Sequence, residues 1–337
     1  REEAFSPCLA YTGPRPVEYA AVPLTMYGSG ADHLESYTSM SALLEHFYAE
    51  KNTLTRIRQK SSDLRRIVQT ALERDIKKYD LQMAQMKDTE KREKYRIYGE
   101  LLNTYGYSAK PGDRSLTAVN YYTNEPVTIP LDPTLSPTEN AKKYFDKYGK
   151  LKRTYEALSE LTCQVKEEID HLETISTALD IALKEEDLVE IKEELTQSGY
   201  IRRKGGTKKV KITSRPFHYL SSDGFHIYVG KNNFQNDELT FKFATGNDWW
   251  FHAKGIPGSH VVVKTEGKEL PDRTFEEAGR LAAYYSKGRE QEKVEIDYVQ
   301  KKQVKKPAGA KPGFVVYYTN YSLMIDSDIS GIKKLSD

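Results

Sequence analysis

The sequence predicts an α+β protein: a long antiparallel coiled-coil hairpin with a small tip subdomain, followed by a mixed α+β domain. Three observations lead there. Apolar residues recur at heptad spacing in two long stretches, a segment dense in Gly and Pro separates them, and the last third sets short β-branched and aromatic runs around one amphipathic helix. At 337 residues the chain is long enough for more than one core. Charged residues at 30%, beside 24 Tyr and 11 Phe, exclude both a disordered chain and a membrane-embedded one. No run approaches the roughly 18 to 20 consecutive apolar residues of a membrane span, so no membrane insertion is expected.

Residues 1–39 alternate short apolar runs with prolines and Gly28-Ser-Gly30, the pattern of a few strands left from an N-terminal domain; a chain that opens on Arg1 reads as a fragment of a longer protein. Residues 40–95 carry Leu43, Phe47, Leu54, Ile57, Leu64 and Val68, continuing to Met83 and Met86 at steps of three, four or seven: the seam of a first coiled-coil helix. Residues 96–136 hold Gly106, Pro111-Gly112-Asp113 and Asn124-Glu-Pro126 around two strand-like runs, a tip subdomain with a β-hairpin. Residues 137–186, after the helix start Ser136-Pro-Thr-Glu139, repeat the seam through Tyr144, Tyr148, Leu151, Val165, Leu172, Ile175 and Leu179. Paired antiparallel, this second helix is expected to bring Ile175 near Leu54 and Tyr148 near Met83. A short amphipathic helix and a basic linker, Arg202-Arg-Lys-Gly-Gly-Thr-Lys-Lys, fill residues 187–204 and the start of the final domain, residues 205–337.

In that domain the candidate strands are Phe225–Val229, Leu239–Phe243, Trp249–His252, His260–Val263, Val294–Val299 and Phe314–Tyr318, with one helix from Phe275 to Ser286. Charge divides unevenly: residues 1–200 hold 27 Lys and Arg against 33 Asp and Glu, residues 201–337 hold 24 against 16. The C-terminal part is the one expected to face a polyanion.

No catalytic constellation emerges, and an enzyme is not expected. His252 and His260 are separated by a Pro-Gly turn rather than by the spacing that sets two ligands on one helix face, so no metal site is expected. Ser259 beside His260 cannot form a nucleophile–base pair, which needs separate elements and an oxyanion hole. No phosphate-loop spacing occurs. The two cysteines, Cys8 and Cys163, lie in segments of different character, which favours a reducing, cytosolic setting over a disulfide framework.

What recurs is aromatic and amide side chains interleaved with cations. Lys231, Asn232 and Asn233, then His252, Lys254, Ser259 and His260, then Lys301, Lys302, Lys305, Lys306 and Lys311 supply planar groups for stacking, amides for base edges and ammonium groups for phosphates, a combination that suits RNA. The lysine run is expected as an extended, solvated loop. His252, the Pro257-Gly258 turn and His260 are expected on an exposed rim, with Phe251 and one tryptophan in the core. The plainer reading has Trp249, Trp250 and Phe251 as core on both strand faces and the lysines as a solvated edge.

Three motifs in order resemble the NFACT-R domain: Gly230-Lys-Asn-Asn-x-Gln-Asn-Asp237; Asp248-x-Trp-Phe-His252 with Pro257-Gly-Ser-His260-Val; and Asp297-Tyr-Val-x-Lys-Lys-x-Val-Lys-Lys-Pro-x-Gly-Ala-Lys-Pro-Gly313. Val299 stands where Thr is expected, a small departure. The whole chain is similar to the C-terminal part of the bacterial NFACT family, the RqcH or fibronectin-binding protein A-like proteins. The resemblance implies a ribosome quality control factor that binds obstructed large ribosomal subunits, ribosomal RNA and tRNA and supports alanine tailing of stalled chains, with peptidyl transfer left to the ribosome. It implies a cytoplasmic, ribosome-associated protein. Family members are also described as surface proteins that bind fibronectin or fibrinogen, so an adhesin is the alternative.

Overall fold

The computed structural model describes residues 5–12, 15–27, 32–203 and 213–336. They form two compact units, residues 1–72 with 170–337, and residues 73–169. In chain order come β1 (Cys8–Thr12), β2 (Arg15–Ala20), β3 (Asp32–Ser36), α1 (Met40–Thr89), α2 (Arg92–Tyr105), β4 (Ser115–Asn120), β5 (Glu125–Pro130), α3 (Pro137–Ile181) and α4 (Glu185–Gln197). The basic linker expected from Arg202 lies, beyond Arg203, outside the described residues, as does the Gly28-Ser-Gly30 turn.

In the unit of residues 73–169 the helical arms run antiparallel. Thr162 Oγ1 reaches Met86 Sδ at 3.6 Å, the Arg92 guanidinium lies 4.0 Å above the Tyr155 ring, and Tyr98 meets Tyr144 edge-on at 5.3 Å, so numbers rise on one arm as they fall on the other. Helix α2 claims residues that the turn-rich composition of the segment assigned to the tip. The β4–β5 hairpin closes that tip on a core of Leu101, Leu102 and Ile129. Helix α3 starts where the sequence signals: Glu139 N–H donates to Ser136 Oγ while Ser136 N–H donates to Glu139 Oε2, a reciprocal capping box with Pro137 at the first helical position.

In the other unit β2-β1-β3 form a small antiparallel sheet whose Leu9 and Tyr11 pack on Leu43 and Phe47 of α1. Arg65 reaches Asp180 at 2.6 Å and donates to the Leu179 carbonyl. These contacts correct the pairing register, which is displaced by about two heptads from the expected facing of Leu54 with Ile175 and of Met83 with Tyr148. A heptad repeat looks the same after each seven-residue slide, so the seam alone leaves the register open.

The same unit holds β6 (Phe217–Leu220), β7 (His226–Val229), α5 (Asn233–Glu238), β8 (Trp249–Ala253), β9 (Val261–Val263), α6 (Asp272–Tyr284), β10 (Val294–Gln300), β11 (Val304–Lys305), β12 (Val316–Tyr317), β13 (Tyr321–Ile325) and β14 (Lys333–Ser336). Seven of these strands make one antiparallel sheet in the order β13-β10-β8-β9-β7-β6-β14. Alternation along β8 sends Phe251 to the face covered by α6 and Trp250 to the opposite face, where Leu239, Val262, Val299 and Val304 surround it. Trp249 shares the α6 side and meets Phe275 at 4.9 Å. Neither tryptophan is left bare. Residues Leu239–Phe243, read from sequence as a strand, form instead a π-helical turn closed by Ala244 N–H on Leu239 C=O, because α5 runs directly into them.

Candidate nucleic-acid interface

Asp187, Glu190 and Glu194 recur on one face of α4, and all three are buried. Opposite them lies the amide-rich segment that follows Gly230. Lys231 Nζ pairs with Asp187 Oδ1 at 3.2 Å; Asn232 Nδ2 and Gln235 Nε2 donate to Glu190 Oε2 at 2.7 and 2.8 Å; Asn233 Nδ2 donates to Glu194 Oε1 at 2.7 Å. Asn232 also caps α5 through Gln235 N–H. Backbone approach is close: a Cβ at Gly230 would run into Asn236 Oδ1, and one at Gly313, where φ is +79°, into Asn233 Oδ1.

Five of the residues proposed from sequence as RNA contacts are therefore interior. Lys231, Asn232 and Asn233 belong to this network, Ser259 is buried with its N–H on the Tyr285 carbonyl, and His260 is buried beneath Asn236, its Nδ1 at 2.8 Å from Thr240 Oγ1 and its N–H donating to Asn236 Oδ1 at 3.0 Å. The exposed rim expected at His260 is absent because β9 enters the middle of the sheet there. His252 is partly buried in register with Asp297, its ring 5.7 Å from Trp250 and 5.5 Å from His260. Burial lowers the pKa of both imidazoles, that of His260 far below the ordinary histidine value, so the pair is neutral at pH 7. Burial also pushes Glu194 up to about 7, with Glu190 and Asp237 adding to the effect and Asn233 opposing it.

The other candidates reach the surface. Lys254 is exposed and paired with Glu295 at 2.6 Å. Lys301 and Lys302 hold a short turn whose N–H groups bond the carbonyls of Asp248 and Gly246, Lys305 stands exposed on β11, and Lys306 pairs with Asp237, which also accepts the Gly313 N–H. The lysine run is thus pinned to the domain by its backbone rather than free as a loop. Lys311 lies close enough to Glu194 to lower its pKa.

Sequence reasoning passed over a second set of residues on the same face of the sheet. The π-helical turn carries Phe241, Lys242 and Phe243; Lys301 Nζ lies 5.6 Å from the Phe241 ring and Lys264 Nζ 5.0 Å from the Phe243 ring. Phe243 is 40% exposed and meets Tyr228 edge-on at 4.7 Å, and Tyr228 stacks on His218 at 4.3 Å. The alternation Phe-Lys-Phe looked like strand, which hid its use as a surface of rings and cations. Among the described residues no group of three or more His, Cys, Asp or Glu is placed to hold a metal ion.

Comparison with known proteins gives this face a context. The family model described as NFACT N-terminal and middle domains matches residues 1–214, and the one described as NFACT protein RNA binding domain matches residues 215–318. The chain belongs to the NFACT family. It is 40% identical over 318 residues to the Rqc2 homolog RqcH of Streptococcus suis, covering 94% of this chain and 56% of that protein, and 38% identical over 304 residues to RqcH of Bacillus subtilis, covering 89% and 53%. It spans little more than half the length of these NFACT relatives. A solved structure, the C-terminal part of the fibronectin/fibrinogen-binding protein of Streptococcus suis, matches with a TM-score of 0.66 at 37% identity, over 82% of this chain and 99% of that one. The ring-and-lysine face lies within the match to the NFACT RNA-binding domain, whereas Asp187, Glu190 and Glu194, which clamp that domain's first motif, lie before it.

Proposed function

We infer that this chain is the RNA-binding, ribosome-docking part of a ribosome quality control factor that engages obstructed large ribosomal subunits and tRNA in the cytoplasm and supports alanine tailing of the stalled chain. In this reading it is a positioning factor with no bond-making chemistry of its own. One observation carries the reading: the partly exposed Phe241 and Phe243 rings flank exposed Lys242 and lie 5.6 Å from Lys301 Nζ and 5.0 Å from Lys264 Nζ, respectively, in a domain matched by an RNA-binding family model. Ammonium groups beside accessible rings suit a phosphate backbone with unstacked bases. The relatives' name, Rqc2 homolog, supports the ribosomal setting.

A second reading, a fibronectin- or fibrinogen-binding adhesin, is favoured only by the name of the Streptococcus suis protein whose C-terminal structure matches. Salt separates the two. Binding of the chain to purified large ribosomal subunits should weaken steeply between about 50 and 200 mM salt, as counterion release requires. Tight, salt-insensitive binding to fibronectin with no retention on ribosomal subunits would overturn the ribosomal reading.

A further inference from the structure

A cavity of about 230 Å³ opens beside the first half of α1, away from the ring-and-lysine face. Its floor comes from a break in the coiled-coil seam. Ile57, Leu64 and Val68 are buried seam residues, and Ser61, spaced between them, is fully buried yet too small to fill a leucine's place. Opposite, Ala182 is equally small. The result is a concave space where neighbouring heptads are packed solid.

The walls are cationic on one side and apolar on the other. Lys51 and Arg58 are a heptad apart on α1 and so share a face, and Arg289 comes from the segment after α6. Arg65 is already held, its Nη1 on Asp180, its Nη2 on the Leu179 carbonyl and its Nε on Ser61 Oγ at 3.2 Å. The carboxylate lining the cavity, Asp180, is therefore engaged, while among the described residues Lys51, Arg58 and Arg289 make no ion pair; Lys51 Nζ lies 5.2 Å from the Phe47 ring and the Arg289 guanidinium 5.0 Å from the Tyr284 ring, contacts that leave their N–H donors without a carboxylate. Three cationic residues therefore line a space too small for a macromolecular surface, beside apolar Leu179 and Leu183.

We propose that this cavity is a binding site for the phosphomonoester of a nucleotide. Two guanidinium groups and an ammonium offer more donors than one carboxylate accepts, and they suit a dianion with three terminal oxygens. A backbone phosphodiester needs an open surface, whereas a terminal phosphate can enter a concave site. The apolar wall accommodates the attached sugar or base. The volume lies below the several hundred Å³ typical of sites for drug-sized ligands, and so suits a group of this size. The phosphomonoester can come from a free nucleotide or from the 5′ end of an RNA strand.

Isothermal titration of the 337-residue chain tests the assignment with AMP, adenosine, and a short oligoadenylate bearing either a 5′-phosphate or a 5′-hydroxyl. AMP should bind at least tenfold more tightly than adenosine. Arg58→Gln and Arg289→Gln should each remove most of that advantage with the melting temperature unchanged, since Arg58 is exposed and Arg289 half-buried. A 5′-phosphate gain on the oligonucleotide that Arg58→Gln abolishes would identify RNA ends as the source; a gain confined to AMP would identify free nucleotide. If AMP binds no better than adenosine, or if both variants bind it as the parent does, the cavity is not a phosphate site. Loss of AMP binding with ribosome binding intact would separate this site from the sheet face described above.

Discussion

Lys231 Nζ lies 3.2 Å from Asp187 Oδ1, and each side chain is only 1% exposed. A lysine that the sequence offers to a phosphate is thereby placed inside the protein, joining the RNA-binding domain to the helix that precedes it. The ammonium also lies 4.5 Å from the Phe217 ring centroid. Removing one partner of such a pair leaves a charge in a place that water does not reach, so Lys231→Met should cost about 3 to 5 kcal/mol, read from urea unfolding. The double change Lys231→Met with Asp187→Leu should recover much of that loss. A Lys231→Met protein as stable as the parent, but weaker on RNA, would return this lysine to the surface.

Much of the fold is legible in the sequence because periodicity reports burial. The heptads of α1 and α3, the Ser136–Glu139 start and the β4–β5 hairpin each follow from local rules that tertiary context leaves intact. The candidate site was less legible. Asn232, Asn233 and Lys231 look like surface residues because polar side chains usually are, and the acids of α4 look like a solvated helix face for the same reason. Only their mutual burial reveals two polar faces satisfying each other. Likewise Phe241-Lys-Phe243 fits the alternation of a strand, and nothing local announces that α5 continues through it. The strands β6, β13 and β14 were missed because two of them are edge or near-edge elements with mixed polarity, and β6 is short.

Glu194 makes the joint sensitive to pH. Its folded-state pKa of about 7 stands above the 4.5 of a free glutamate, so the folded protein holds a proton that the unfolded chain has lost over that interval. Stability should fall as pH rises from about 4.5 to 7, by an order of 3 kcal/mol at most. Glu190, whose pKa burial also raises, pushes in the same direction; Lys311 opposes it, and the His171 imidazole lies 3.8 Å from Glu194 Oε1. Glu194→Gln should flatten the dependence and be more stable than the parent at pH 8. Urea midpoints measured at pH 5, 6, 7 and 8 decide it: parallel curves for the two proteins would show that Glu194 does not titrate in this window.

The helical register can be read by crosslinking. With Cys163 replaced by Ser, cysteines at Met86 and Thr162 should form an intramolecular disulfide, since the native side chains touch at 3.6 Å. Met83 with Tyr148, the pairing suggested by the seam alone, should not react. The reverse pattern, or crosslinks found only between chains, would rule out the hairpin register.

The ring-and-lysine face makes a prediction in which two kinds of variant should fail differently. Lys242, Lys302 and Lys305 are exposed, so changing all three to Ala should leave the melting temperature nearly unchanged. If each ammonium neutralises a phosphate, affinity for ribosomal RNA should drop and the slope of log affinity against log salt should shrink by about 0.7 to 0.9 per lysine lost. Phe243 contributes through its ring instead: it is 40% exposed and braced by Tyr228. Phe243→Ala should therefore weaken binding by about 1 to 3 kcal/mol, the worth of one base stacked on an aromatic side chain, and should leave the salt slope where it was. Trp250→Ala gives the contrast. That ring is fully buried against Val262 and Val299, so its removal should cost about 3 to 5 kcal/mol of stability and reduce binding through unfolding. Salt titrations of the three proteins beside their melting curves separate charge, stacking and folding; a lysine triple variant that matches the parent at every salt concentration would reduce these side chains to a solubilising edge.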